Sequence, residues 1–154
     1  MSRLYLDTEF NGHGGELISL ALAAPDDKHW YGELPLPHGI DPWVAEHVIP
    51  HTGAKVMLPD LFRASLSEYL RTRSGATIYA DWPDDFAHLM RLMSGPEYAQ
   101  SFMIPCTMRL IVTPDGEPKP AIPHHALSDA VALMNWHIES GDRGADPTSS
   151  GRVT

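Results

Sequence analysis

The chain has 154 residues, 43% of them hydrophobic and 20% charged, the balance of a globular protein able to bury a core rather than of a disordered or fibrous one. Its 20 acidic residues against 11 Lys and Arg give a net charge of -9, which disfavours non-specific adhesion to nucleic acid or anionic membranes. A lone cysteine, Cys106, excludes an internal disulfide and a multi-cysteine zinc site. No apolar run reaches the ~18–20 residues of a membrane span, and carboxylates stand in MSRLYLDTEF where an export signal needs an apolar stretch, so a cytoplasmic location is expected.

In chain order, Arg3 to Phe10 alternates apolar and polar, NGHGG interrupts, and ELISLALAA resumes. That pattern predicts two strands joined by a Gly-rich hairpin, with a third short strand near Trp30 to Leu34 completing an antiparallel meander. DPWVAEHVI predicts a short helix with Asp41 as N-cap and Pro42 at its first position. Phe62, Leu66, Tyr69 and Leu70 at helical spacing predict a longer helix from an Asp60 N-cap to Arg71. ATIYAD reads as a short buried strand. WPDD starts another helix, whose core face is Phe86, Leu89, Met90 and Met93. SFMIPCTMRLIV suits strand or helix, PDGEPKPAIP is a Pro-rich loop, and ALSDAVALMNWHI is the last helix. The polar tail from residue 141 to 154 is expected to be mobile, leaving residues 1–140 as the folded domain.

Four places hold residues suited to chemistry. Asp7 and Glu9 are two apart on a strand, so they leave one face with bases ~6.6 Å apart. Such a pair calls for a raised pKa, a cationic partner such as Arg3, or a bound metal. On the last helix, Asp129 shares a face with Ala132, Leu133 and Trp136, opposite an apolar face of Leu127, Ala130, Val131, Met134 and Ile138, and oxygen-only ligation with the strand acids suits Mg²⁺ or Mn²⁺. Asp81, Asp84 and Asp85 straddle a strand end and a helix start, where one or two of them are expected as caps. His124 and His125 precede the last helix. The i, i+4 spacing to Asp129 favours His125, and either could accept a proton near neutral pH. Arg63, Arg71 and Arg73 are the densest positive group and read as solvated helix-end charges. The four tryptophans read as core or loop packing, with Met90 and Met93 in the core.

DTEF at Asp7, DDFAHL around Asp85 and HHALSDA from His124 resemble the DEDD superfamily of 3'-to-5' exonucleases, and most closely its compact actinobacterial-type DEDDh exoribonucleases. The resemblance implies an α/β, ribonuclease-H-like mixed sheet, antiparallel in its first three strands and flanked by helices. It implies two divalent ions, Mg²⁺ or Mn²⁺, held by Asp7, Glu9, Asp85 and Asp129, with His124 as general base because that subgroup places its His five residues before the last acid. Asp81 stands where many relatives have Asn. Thr8 and Phe10 would contact the terminal nucleotide. The implied activity is removal of nucleotides from single-stranded 3' ends of RNA. A DNA exonuclease or short-oligonucleotide nuclease of the same mechanism and an inactive protein-binding module are the alternatives. A homodimer fits small members of the superfamily.

Overall fold

The computed structural model describes residues 1–97 and 100–141; the tail expected to be mobile lies outside the described residues beyond Gly141. Strands β1 (Arg3–Phe10), β2 (Leu17–Ala23) and β3 (Trp30–Glu33) come first, followed by helices α1 (Pro42–His47) and α2 (Pro59–Arg71), and then β4 (Ala76–Ala80), α3 (Pro83–Ser94), β5 (Cys106–Leu110) and α4 (Ala126–Glu139) in turn. The strands form one sheet in the order β3-β2-β1-β4-β5. The first three pair antiparallel as the hairpin signals predict, and β4 and β5 join parallel. The result is a mixed α/β fold.

Strand β1 is central, and its alternation supplies both layers. Leu4 and Leu6, with Leu20, Leu22 and Ile78, pack beneath Phe62, Leu66 and Leu70 of α2 and Leu89 of α3. Tyr5, with Ala21, Ala23 and Tyr79, packs beneath Ala130, Leu133 and Met134 of α4. Each fully buried Leu is worth ~1.5–3 kcal/mol against exposure, so a strand apolar on both sides is drawn to the middle. At the end of β1 the register slips between Glu9 and Phe10, opposite Ser19 and Leu17. Ile18, the unmatched residue of this bulge, leaves the main core to pack with Val44 and Val48. The bulge thereby seats α1 beside the end of β1.

Several expectations are corrected. The cap of α2 is Leu58, with Pro59 opening the helix and Asp60 in its first turn, because proline fixes the helical φ that a side-chain cap would otherwise help set. None of Asp81, Asp84 and Asp85 caps α3, whose N-cap is Trp82 ahead of Pro83. On α3, Asp85 and His88 are buried beside Leu89, whereas Met90 is 49% exposed. On α4 the buried stripe is Ala126, Ala130, Leu133, Met134 and His137, and Ile138 is exposed. The helix is turned further than its apolar residues suggest because Tyr5 captures His137 Nδ1 at 2.9 Å. Within SFMIPCTMRLIV only Cys106–Leu110 forms a strand, β5, at the sheet edge. No helix among the described residues is long and apolar enough to cross a membrane.

Candidate functional site

The parallel register of β1 and β4 determines which acids meet. Tyr5 lies level with Tyr79 and their rings stack at 5.3 Å, so two residues further on Asp7, within β1, and Asp81, just past the end of β4, fall on the same face. Helix α4 crosses that face with Asp129 in its first turn, while α3 brings Asp85 back one turn after Asp81. Asp7, Glu9 and Asp129 each offer an oxygen within 4.8 Å of the others, and so do Asp7, Asp81 and Asp85. Asp7 belongs to both groups. The two sets could each hold a metal ion.

Two oxygens in this cluster carry no hydrogen bond among the described residues although they are shut off from solvent: Asp7 Oδ2 and Asp85 Oδ2. The other oxygen of Asp85 is fully engaged, accepting from Thr8 Oγ1 at 2.6 Å and from Thr8 N at 3.2 Å. Thr8 is thus a strut that fixes Asp85 and aims its second oxygen into the cluster. An orphaned buried carboxylate oxygen is costly unless a cation satisfies it. All-oxygen, carboxylate-rich donors are the set that hard divalent ions such as Mg²⁺ and Mn²⁺ take. The residues therefore fit such ions.

The electrostatics agree. Burial, followed by the charges of Asp85, Glu9, Asp129 and Asp81, holds Asp7 well above the usual carboxylate range. Burial and then the charge of Asp129, with which it shares a hydrogen bond, push Glu9 up to about 8. Burial raises Asp85 to about 7 against the opposing Thr8 hydrogen bonds, and raises Asp129 to about 6. Asp81 is raised too, by burial. Asp84 lines the same cleft but belongs to neither oxygen set, its Oδ2 accepting from Trp82 Nε1 at 3.0 Å.

His124 and His125 are separated by geometry. His124 lines the acid cleft with a left-handed backbone, φ 62°, a conformation that a non-glycine residue keeps only when its surroundings impose it. Here the surroundings are Trp43 and His47, whose rings the His124 ring meets edge-on at 4.8 and 6.1 Å, while the backbone N–H groups of both histidines moderate the rise of the Asp129 pKa. Burial, then the nearby His47 and His51, lowers the His124 pKa, favouring the neutral ring. His125 faces away as the N-cap of α4, accepting from Ser128 N, and packs on Tyr31 at 4.9 Å.

The cleft has a volume of about 780 Å³. Its aromatic wall was not foreseen. Trp43 and Trp82, expected as packing residues, are 50% and 58% exposed and line it. Trp43 stacks on His47 at 4.4 Å and meets the His124 ring edge-on at 4.8 Å. A signal existed: Val44 and Val48 are four apart and form the buried stripe of α1, which leaves Trp43 and His47, also four apart, on the neighbouring stripe. Phe10 lines the cleft as well, its ring 4.8 Å from that of His88. The structure thus brings together Asp7, Thr8, Glu9, Phe10, Asp85, His124 and Asp129, and adds Asp81.

No protein-family model matches this chain, and a search of curated proteins finds no match.

Proposed function

We propose that this protein is a metal-dependent phosphodiester hydrolase of ribonuclease-H-like fold that removes nucleotides from single-stranded 3' ends, with RNA as the favoured substrate. The observation that carries the reading is the pair of acidic oxygen sets sharing Asp7, with two sealed, unpaired oxygens between them. Two divalent ions, Mg²⁺ or Mn²⁺, would supply electrophilic stabilisation of the attacking and leaving oxygens of an in-line displacement. Asp7, Glu9 and Asp129 would hold one; Asp7, Asp85 and Asp81 would hold the other.

The remaining work falls to the chain's own side chains. His124, held at the cleft wall and favoured as a neutral ring, accepts the proton of the attacking water at an imidazole nitrogen. The backbone N–H groups of His124 and His125 favour the charged form of Asp129, which ties that loop electrostatically to the acids. Trp43 and Trp82 offer exposed aromatic rings around the acids, beside the half-buried Phe10, surfaces on which unpaired bases stack and paired ones cannot. That favours a single strand over a duplex. The RNA preference and the 3' polarity follow from the resemblance of DTEF, DDFAHL and HHALSDA to the DEDDh exoribonucleases.

The test is a gel. End-labelled RNA and DNA with single-stranded 3' overhangs are incubated with Mg²⁺, Mn²⁺ or EDTA, alongside Asp7→Ala. Stepwise shortening from the 3' end that needs metal and Asp7 is expected, faster on RNA. Full activity in EDTA or in the Asp7→Ala protein would overturn the reading.

A further inference from the structure

Beside the acid cleft lies a second groove of about 420 Å³, lined by Arg63, His88, Arg91 and the hairpin residues Gly14 and Gly15. The two recesses adjoin. Gly12 and His13 in the first half of the β1–β2 loop line the acid cleft, and Gly14 to Glu16 in the second half line the groove. Between them stands the Phe10 ring, packed 4.8 Å from His88.

The groove concentrates positive charge on a chain of net charge -9. Arg63 is no solvated helix-end charge, as the sequence suggests: its Nε donates to Leu92 O at 2.9 Å, its Nη2 donates to Gln100 O at 2.5 Å, and its guanidinium sits 5.5 Å from the Phe102 centroid. Carbonyl partners fix the guanidinium without neutralising it. Arg91 is exposed in the last turn of α3, and neither arginine makes an ion pair among the described residues, whereas Arg73 is neutralised by Asp26 at 2.9 Å. Glu16, the one carboxylate lining the groove among the described residues, is exposed and pairs with neither arginine there. Gly95 suits this point, since its φ of 71° favours glycine and a Cβ would crowd Arg63 Nη2 at 2.5 Å.

We propose that the Arg63–Arg91 groove holds the sugar–phosphate backbone of the substrate strand beyond the nucleotide at the acid site, a proposal that rests on the nuclease reading above. Guanidinium donors match phosphodiester oxygens, and that of Arg63 is held in place by its carbonyl partners. Arg91 follows Asp85 by six residues on one helix, about 9 Å along its axis. A phosphate at Arg91 is therefore one further along the strand, not the one being cleaved. The enzyme would then act on oligonucleotides long enough to reach the groove with a lower KM than on a dinucleotide, whose single phosphodiester occupies the acids.

The experiment compares wild type, Arg91→Ala and Arg91→Lys on a dinucleotide and on a single-stranded octanucleotide RNA. Arg91 is exposed, so the variants should fold. For Arg91→Ala the octanucleotide KM is expected to rise about fivefold to tenfold with kcat kept and the dinucleotide unaffected, and Lys should restore most of the loss. In parallel, anisotropy of a labelled octanucleotide in Ca²⁺ is followed against salt, where loss of one phosphate contact should lower the logarithmic slope by ~0.7. Equal octanucleotide KM and slope in Arg91→Ala would overturn the groove while leaving the hydrolase standing. Absence of hydrolysis by wild type, with binding that still depends on Arg91, would retain the groove and overturn the hydrolase.

Discussion

Asp7 contributes to both oxygen sets, while Asp85 contributes to one and is fixed by Thr8. Asp7→Asn and Asp85→Asn should therefore each abolish metal-dependent hydrolysis. Without metal they should melt above wild type at about pH 8, because each removes a repelling charge from a crowded cluster. Thermal melts in EDTA and in Mn²⁺ check both halves, and a lower metal-free melting temperature would contradict the crowding. Asp84→Asn should leave hydrolysis nearly unchanged, since that carboxylate is turned to Trp82. For the histidines, His124→Ala should lower kcat ~10²–10⁴-fold, the usual worth of a positioned general base. His125→Ala should keep kcat and lose ~0.5–2 kcal/mol of stability as a cap, toward the low end because its bond to Ser128 N is 3.4 Å long. Steady-state kinetics beside a melting curve separates the two. Sequence spacing favoured His125 because it counts a regular helix back from Asp129; the chain leaves the helix at that point, with His125 as the N-cap and His124 in the left-handed region.

At the scale of an element, α1 depends on anchors outside itself. A six-residue helix is not stable alone. Asp41 Oδ1 accepts from Trp43 N at 2.9 Å and Val44 N at 3.3 Å, and Asn11 Oδ1 accepts from Asp41 N at 2.8 Å, tying the helix cap to the β1–β2 hairpin. Asp41→Ala should cost ~0.5–2 kcal/mol of stability. It should also loosen Trp43, raising KM for single-stranded substrate while kcat, set by the acids and His124, stays close to wild type. Equal falls in kcat and kcat/KM would instead place α1 in the chemical step. The cap and Pro42 were legible in DPW, because capping is chemistry between near neighbours. The exposure of Trp43 followed only once Ile18, turned out of the main core at the bulge, seated Val44 and Val48.

Across the whole molecule, stability and metal occupancy are linked through pH. The raised carboxyls of Glu9, Asp85 and Asp129, at about 8, 7 and 6, bind more protons folded than unfolded above their ordinary range. Stability of the metal-free protein is then greatest at low pH within this range and falls as pH rises. Between about pH 5 and about pH 8 its melting temperature should drop by on the order of 5 °C or more. Mn²⁺ or Mg²⁺ should reverse the trend at the alkaline end: an ion at 100 times its Kd adds ~2.7 kcal/mol, or roughly 5–10 °C, and should add little near pH 5, where protons occupy the ligands. A melting temperature independent of pH in EDTA would show that the acids do not crowd one another in solution. What the sequence determined by itself was local: the β1–β2 hairpin, the α1 cap, the strand face shared by Asp7 and Glu9, and the acid in the first turn of α4, all set by period, turn chemistry and neighbours a few residues apart. Only the tertiary structure decided that Asp81 joins Asp85 in the second oxygen set, that His124 rather than His125 faces the acids, that Trp43 and Trp82 stand open, and that Arg63 and Arg91 share a groove. Those outcomes depend on the parallel register of β1 against β4 and on how α3 and α4 pack across it, contacts between residues far apart in the chain that no local pattern encodes.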